Sequence, residues 1–156
     1  MDDAPILICY DGSGDSDRAI EAAARLLGPR RAVVLAVGPT LTAAESFAAV
    51  SAIVPGNAFE DLNKDSALEK ARAGADRARE AGFKSEPRAE LTEPVWQGIV
   101  DVADDIDAAV IVLGSRGLKG IHEQFEGSVS HEVAEHAGRP VLIAPPVKRP
   151  STPGGG

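Results

Sequence analysis

The chain has 156 residues, of which 44% are hydrophobic, 26% charged and 4% aromatic, and 16 Lys and Arg against 24 Asp and Glu leave a net charge of −8. That length suits one domain of roughly 100–150 residues, the apolar content excludes a disordered chain, and a lone cysteine excludes a disulfide scaffold. The acidic balance excludes general binding to nucleic acid or anionic membranes, which draw on surplus Lys and Arg, but leaves room for a local anion site.

The first residues, Met1 to Pro5, are acidic and show neither the basic region nor the apolar stretch of a secretion signal. No apolar run approaches the ~20 residues of a membrane-spanning helix. Cys9 lies in an apolar segment and reads as a small buried hydrophobe. The expected setting is reduced and cytoplasmic, with no membrane and no nucleic acid as partner.

Ile6 to Tyr10 is apolar on successive residues, the pattern of a strand covered on both faces. A helix is predicted from about Asp15 to Leu27, capped by Ser13 or Ser16, with Ile20, Ala23, Ala24 and Leu27 inward and Gly28-Pro29 as its stop. Ala32 to Val37 is a second buried strand. Residues 40–60 hold apolar side chains without a period and read as a long, partly helical connection. From Asp61 to Ala81, Leu62, Leu68, Ala71, Ala75 and Ala78 recur at helical spacing under a charged opposite face. Phe83 to Leu91 alternates weakly and contains Pro87, which predicts a more exposed third strand.

Thr92-Glu93-Pro94 reads as the start of a third helix, with Thr92 as cap and Pro94 in its first turn. It is predicted to run to about Asp104 with Val95, Ile99, Val102 and Ala103 inward. Ala108 to Leu113 is the most apolar strand, a glycine-rich segment follows, and Val129, Val133 and Ala137 mark a helix from about Ser128 to Ala137. Pro140 to Ala144 closes the series. Residues 146–156 belong to a Pro- and Gly-rich tail expected to be disordered.

Five strands alternating with about four helices predict one α/β domain over residues 1–145. It would be a Rossmann-like, doubly wound, three-layer fold around a mainly parallel sheet. Ligands of such sheets sit beyond the carboxyl ends of the strands where the strand order reverses. The turn at Asp11 and the segment after Leu113 are therefore the places to search.

That second segment sets Gly114 and Gly117 directly after a buried strand, and Gly127 and Ser128 at the opening of the next helix. Glycines let the backbone approach a ligand, and a helix start offers unpaired N–H groups with partial positive charge. Together they suit a phosphate, although such a segment can also merely turn the chain. No G-x-x-x-x-G-K-[ST] loop occurs, and Gly12-x-Gly14 is followed by Asp17 where a dinucleotide fingerprint needs glycine.

The full pattern of glycine, two residues, glycine, nine residues, glycine and Ser is met by Gly114, Gly117, Gly127 and Ser128. With "ILICYDGSGDSDRAIEAA" at the start, "VIVLGSRG" before the pattern and "GSVSHEVAEHAGRPVLIAP" after it, the chain resembles the universal stress protein family over about residues 5–145. The resemblance is weakest between residues 39 and 90. It implies a Rossmann-like ATP-binding domain, commonly a homodimer. By position, Asp11 would contact the adenine, where a carboxylate accepts from the exocyclic amine, and Val37 would pack on it. Gly114, Arg116 and Gly117 would line the ribose and phosphate path. Gly127, Ser128 and Val129 would meet the phosphates, with Mg²⁺ on the latter. Asp11 also reads as a turn residue capping its own loop.

Glu123 and Glu126 stand where similar sequences often have basic or apolar residues, and they cancel Arg116 and Lys119. They would lower ATP affinity where they face the phosphates, by about 1 kcal/mol per contact in water.

His122, His131 and His136 lack metal spacing, and Asp101, Asp104, Asp105 and Asp107 read as a solvated helix end. No G-x-S-x-G elbow is present, and the acidic pair and Lys of a phosphoacceptor domain are missing. No residue stands out as a base to activate water, so no catalytic residue is assigned and at most slow hydrolysis is expected. Three readings remain: an ATP-binding regulatory protein, a nucleotide-independent interaction module, or a slow ATPase. In the first two, the last strand (Val141, Leu142, Ile143) is an apolar edge that pairs with a second copy.

Overall fold

The computed structural model describes residues 3–38, 56–115 and 129–145. Its elements run β1 (Ile6–Cys9), α1 (Gly14–Leu27), β2 (Arg31–Gly38), α2 (Gly56–Glu80), β3 (Lys84–Leu91), α3 (Val95–Asp105), β4 (Ile111–Gly114), α4 (Val129–His136) and β5 (Val141–Ala144). The strands form one sheet in the order β3-β2-β1-β4-β5, every pair parallel. Chain order reverses between β1 and β4, which makes their carboxyl ends the switch point of the sheet.

The period of two in each strand divides the core. Ile6, Ile8, Tyr10 and Val34 turn to one face and meet Ala19, Ile20 and Ala23 of α1 and Ala75 and Ala78 of α2. Leu7, Cys9, Val33, Leu35, Ile111 and Leu113 turn to the other and meet Ile99, Val102 and Ala103 of α3 and Val129 and Val133 of α4. Burial on both faces is what successive apolar residues require. On the first face the helix approaches closely. A Cβ on Gly74 would lie 2.6 Å from Tyr10 Cγ and 2.8 Å from Val34 Cγ1, so only glycine fits there.

Among the described residues β3 lies at the edge of the sheet and pairs only with β2, in keeping with the more exposed strand that Pro87 predicts. Three details differ from the sequence reading. Thr92 does not cap α3: Pro94 is the N-cap, and Thr92 instead packs on Gly98, where a Cβ would lie 2.8 Å from Thr92 Cβ. Leu62 is 65% exposed, and the inward line of α2 runs through Ala67, Ala71, Ala75 and Ala78. β4 starts at Ile111, and just before it Ala109 N–H donates to Pro5 O while Val110 O accepts from Leu7 N–H. Residues 39–55 and 146–156, and with them the expected disordered tail, lie outside the described residues.

Candidate functional site

The candidate site is built where β1 and β4 end side by side. After β1, Tyr10 N–H still donates to Leu35 O at 2.8 Å, and the chain then turns. Asp11 Oδ1 accepts from Ser13 N–H at 2.9 Å, Gly12 takes φ +85°, and Ser13 Oγ accepts from Ser16 N–H at 3.2 Å to cap α1. One short turn thus ends a buried strand and starts a helix, with two polar side chains satisfying exposed N–H groups. The turn role open to Asp11 is realised.

The carboxylates in the first turn of α1 are engaged by protein. Asp15 pairs with Arg18, while Asp17 accepts from Tyr10 Oη at 2.9 Å and pairs with Arg77 Nε at 3.1 Å. On the other side of the crevice, Gly114 lies opposite Ala144 of β5, and Ser115 N–H donates to Ala144 O at 2.9 Å. A Cβ on Gly114 would stand 3.0 Å from Asp15 O and 3.1 Å from Asp15 Cβ. Glycine here lets α1 begin against the end of β4, so the close approach required at this position is already one between protein segments.

Val37 lies near the carboxyl end of β2, half-buried on the α3/α4 side, and Val129, the first residue of α4, is buried in the same cluster. Ser130 Oγ donates to Ser115 O at 3.4 Å and ties the start of α4 to the end of β4. Asp11, Val37, Gly114 and Val129 are therefore gathered along the carboxyl ends of β1, β2 and β4 and the start of α4. Arg116, Gly117, Gly127 and Ser128, together with His122, Glu123 and Glu126, lie outside the described residues.

Two neighbours of the site escape sequence reasoning. Ser115 Oγ is buried and, among the described residues, has no hydrogen-bond partner. Its place directly after Gly114 is the signal that could have flagged it. Lys70 of α2 lies at the turn after β1: a Cβ on Gly12 would be 3.9 Å from Lys70 Cγ. No local pattern marks Lys70, since α2 reaches the turn only through tertiary packing.

Cys9 is buried beneath the turn. Burial first, and the Asp11 carboxylate second, push its thiol up to about 12. It stays protonated and a poor nucleophile at neutral pH.

The acidic run at the end of α3 is exposed, as expected, yet it anchors neighbouring segments. Asp104 holds Arg139 Nη2 at 2.7 Å while Arg139 Nη1 donates to Ala108 O at 2.6 Å, and Asp105 holds Arg88 Nη1 of β3 at 2.7 Å. On α4, Glu132, Glu135 and His136 bring ligand atoms within 4.8 Å of one another, a grouping that comparison of the histidines alone passes over. His136 is otherwise occupied: Nδ1 lies 2.9 Å from Glu132 O, and the ring stacks on Trp96 at 4.4 Å between centroids.

The family model of the universal stress proteins matches residues 4–145. Universal stress protein YxiE of Bacillus subtilis is 31% identical over 143 residues, which span 88% of this chain and 96% of that protein. A crystal structure of a universal stress protein in complex with cAMP superposes with a TM-score of 0.62 at 26% identity, covering 90% of this chain and 95% of the other. A universal stress protein family protein from Arabidopsis thaliana with AMP bound gives a TM-score of 0.61 at 19% identity, covering 96% and 98%, a likeness of fold.

Proposed function

The chain belongs to the universal stress protein family, and on that premise we propose that it is a nucleotide-binding regulatory protein whose crevice between β1 and β4 takes an adenine nucleotide. The observation that carries the reading is the convergence of Asp11, Val37, Gly114 and Val129 at the switch point of the sheet. Support comes from the relatives, one of which was crystallised with cAMP and another with AMP.

The finer reading is ATP. Asp11 would accept from the exocyclic amine and Val37 would pack on the ring. Gly114, Arg116 and Gly117 would follow the ribose and phosphates to Gly127, Ser128 and Val129. Ser115 Oγ, buried and without a partner among the described residues, fits a polar ligand at that place. Mg²⁺ would be held chiefly by phosphate oxygens. Among the described residues the carboxylates in the first turn of α1 are committed, Asp15 to Arg18 and Asp17 to Tyr10 and Arg77, and Mg²⁺ commonly takes only one or two protein carboxylates with substrate phosphates. Binding is the proposed output, with at most slow hydrolysis, in the cytoplasm.

A homodimer through β5 accompanies this reading. Val141 and Leu142 are half-buried and Ile143 is 38% exposed, with no charge on the edge to deter pairing. Ile143→Lys is expected to convert dimer to monomer in sedimentation velocity.

Mass spectrometry of small molecules released from the heat-denatured protein, with calorimetry against ATP, AMP and cAMP, tests the ligand. An adenine nucleotide in the released fraction, or saturable binding that disappears in Gly117→Val or Gly127→Val with the fold retained, supports the proposal. No bound nucleotide and no heat at millimolar ligand would leave the interaction module, built on the β5 edge, as the function.

A further inference from the structure

At the opposite end of the sheet, where the strands begin, two adjoining clefts of about 560 and 490 Å³ share Arg31 and Lys84 in their walls. Arg79, Pro5 and Phe83 line the first, and Arg30 and Gly82 the second. Four cations thus converge from the entries of β2 and β3 and the end of α2, in a chain whose net charge is −8.

The guanidinium groups are held from the protein side. Arg30 Nη2 donates to Ala4 O at 2.9 Å, Arg31 Nη1 to Asp3 O at 3.2 Å and Arg79 Nη2 to Ser85 O at 3.0 Å. For Arg31 that partner is a backbone carbonyl, which fixes the group without cancelling its charge. Arg79 also meets a carboxylate, Asp76 Oδ1, at 2.7 Å. The carboxylates in the walls are Asp3 and Glu86.

Helix electrostatics account for only part of this charge. The negative ends of α1 and α2 lie at this end of the sheet, and Arg25, Arg77 and Arg79 in their last turns answer them. Arg31 and Lys84 sit on neither helix. They are exposed first residues of adjacent strands and stand opposite each other in register, about 4.8 Å apart across the sheet.

We propose that this floor binds a small oligophosphate anion at a site separate from the crevice. Guanidinium forks and an ammonium group spaced along neighbouring strands match successive phosphate groups, and the clefts have the size of small-molecule sites, roughly 300–1,000 Å³. A free anion fits better than an anionic bilayer or a long polyanion, because either would set many further negative charges against the acidic remainder of the chain.

The test is a titration of the ¹⁵N-labelled protein with inorganic tripolyphosphate, read residue by residue. Saturable shifts at Arg30, Arg31, Gly82 and Lys84 are expected. In R31Q/K84Q the affinity at this site should fall roughly tenfold or more, because two charge-assisted hydrogen bonds to the anion are removed. Both side chains are exposed, so unchanged resonances elsewhere demonstrate an intact fold. E86Q, which removes an opposing carboxylate, should tighten binding severalfold.

Shifts confined to residues 11–13 and 115 would overturn the proposal, as would equal affinity in R31Q/K84Q. So would an absence of shifts at millimolar tripolyphosphate, or shifts produced by phosphatidylglycerol vesicles alone. AMP titrated into the same samples reads the crevice independently, so failure of one site is distinguishable from failure of the other.

Discussion

The two ends of the sheet handle charge in opposite ways. At the carboxyl end the strands run into glycines, a capped turn and the starts of α1 and α4, and the carboxylates of the first turn of α1 are committed to Arg18, Tyr10 and Arg77. At the amino end the strands begin with Arg31 and Lys84, beside Arg30, Arg79 and the ends of α1 and α2. A parallel sheet is directional: its crossover helices start at one end and finish at the other, so their partial positive charges collect at the first and their negative charges at the second. The carboxyl end can attract an anion with backbone N–H groups alone. The amino end needs side-chain cations simply to offset its helices, and here it carries more than that.

The difference can be broken most severely at Gly114. Replacement by Val would place a side chain 3.0 Å from Asp15 O. Either α1 or β4 must then move, so a loss of about 2–3 kcal/mol in urea-unfolding free energy is expected, together with loss of nucleotide binding by calorimetry. Asp11→Ala should separate the two roles of that side chain. The Ser13 N–H bond of 2.9 Å is removed, costing about 1 kcal/mol of stability, while AMP affinity falls roughly 10- to 100-fold if the carboxylate reads the adenine.

Cys9 makes the carboxyl end sensitive to alkali. The unfolded thiol ionises from about pH 9, whereas the folded one, at about 12, remains protonated. Above pH 9 the unfolded state therefore binds fewer protons, and stability should drop by about 1.4 kcal/mol per pH unit until pH 12. Tyr10, also raised by burial and then by its bond to Asp17, acts in the same direction above pH 10. Urea midpoints of the wild type and Cys9→Ala between pH 8 and 11 measure it: the variant should lose most of the slope that begins at pH 9.

The smallest effect is expected at the amino end. Arg79→Ala removes the hydrogen bond to Ser85 O, the ion pair with Asp76 and one charge from the last turn of α2. A decrease of about 1 kcal/mol, partly screened by salt, should appear in thermal unfolding. An equal loss in high and low salt would mean that packing of the side-chain stem, and not charge, is what Arg79 supplies.

Much of this architecture is legible in the residues because the relevant signals are local. Successive apolar residues at Ile6–Cys9 and Ile111–Leu113 mark strands covered on both faces, and Pro87 marks the edge. Ser13 caps α1 as its position before an apolar period suggests. Where local signals mislead, a partner distant in sequence has intervened. Leu62 reads into the apolar series of α2, but it stands nine residues from Ala71, half a turn out of phase, and the underside of α2 is set by where Tyr10 and Val34 press against Gly74. Thr92 looks like a cap, but it packs on Gly98.

The candidate site divides in the same manner. The glycine pattern, the turn at Asp11 and the position of Val37 can be read along the chain. Ser115 Oγ as a buried group without a described partner, and Lys70 beside Gly12, depend on how separate elements dock.

By itself, then, the sequence determined the alternation of strands and helices, the aliphatic core and the phosphate-type pattern after β4, since each depends on spacing within about thirty residues. Only the tertiary structure decided that β4 inserts beside β1, which brings the turn after β1 next to the end of β4. It also decided that Arg30 and Arg31 meet Arg79 and Lys84 across some fifty residues of chain. Strand order and helix docking are set by burial summed over the whole core, a quantity that no single segment contains.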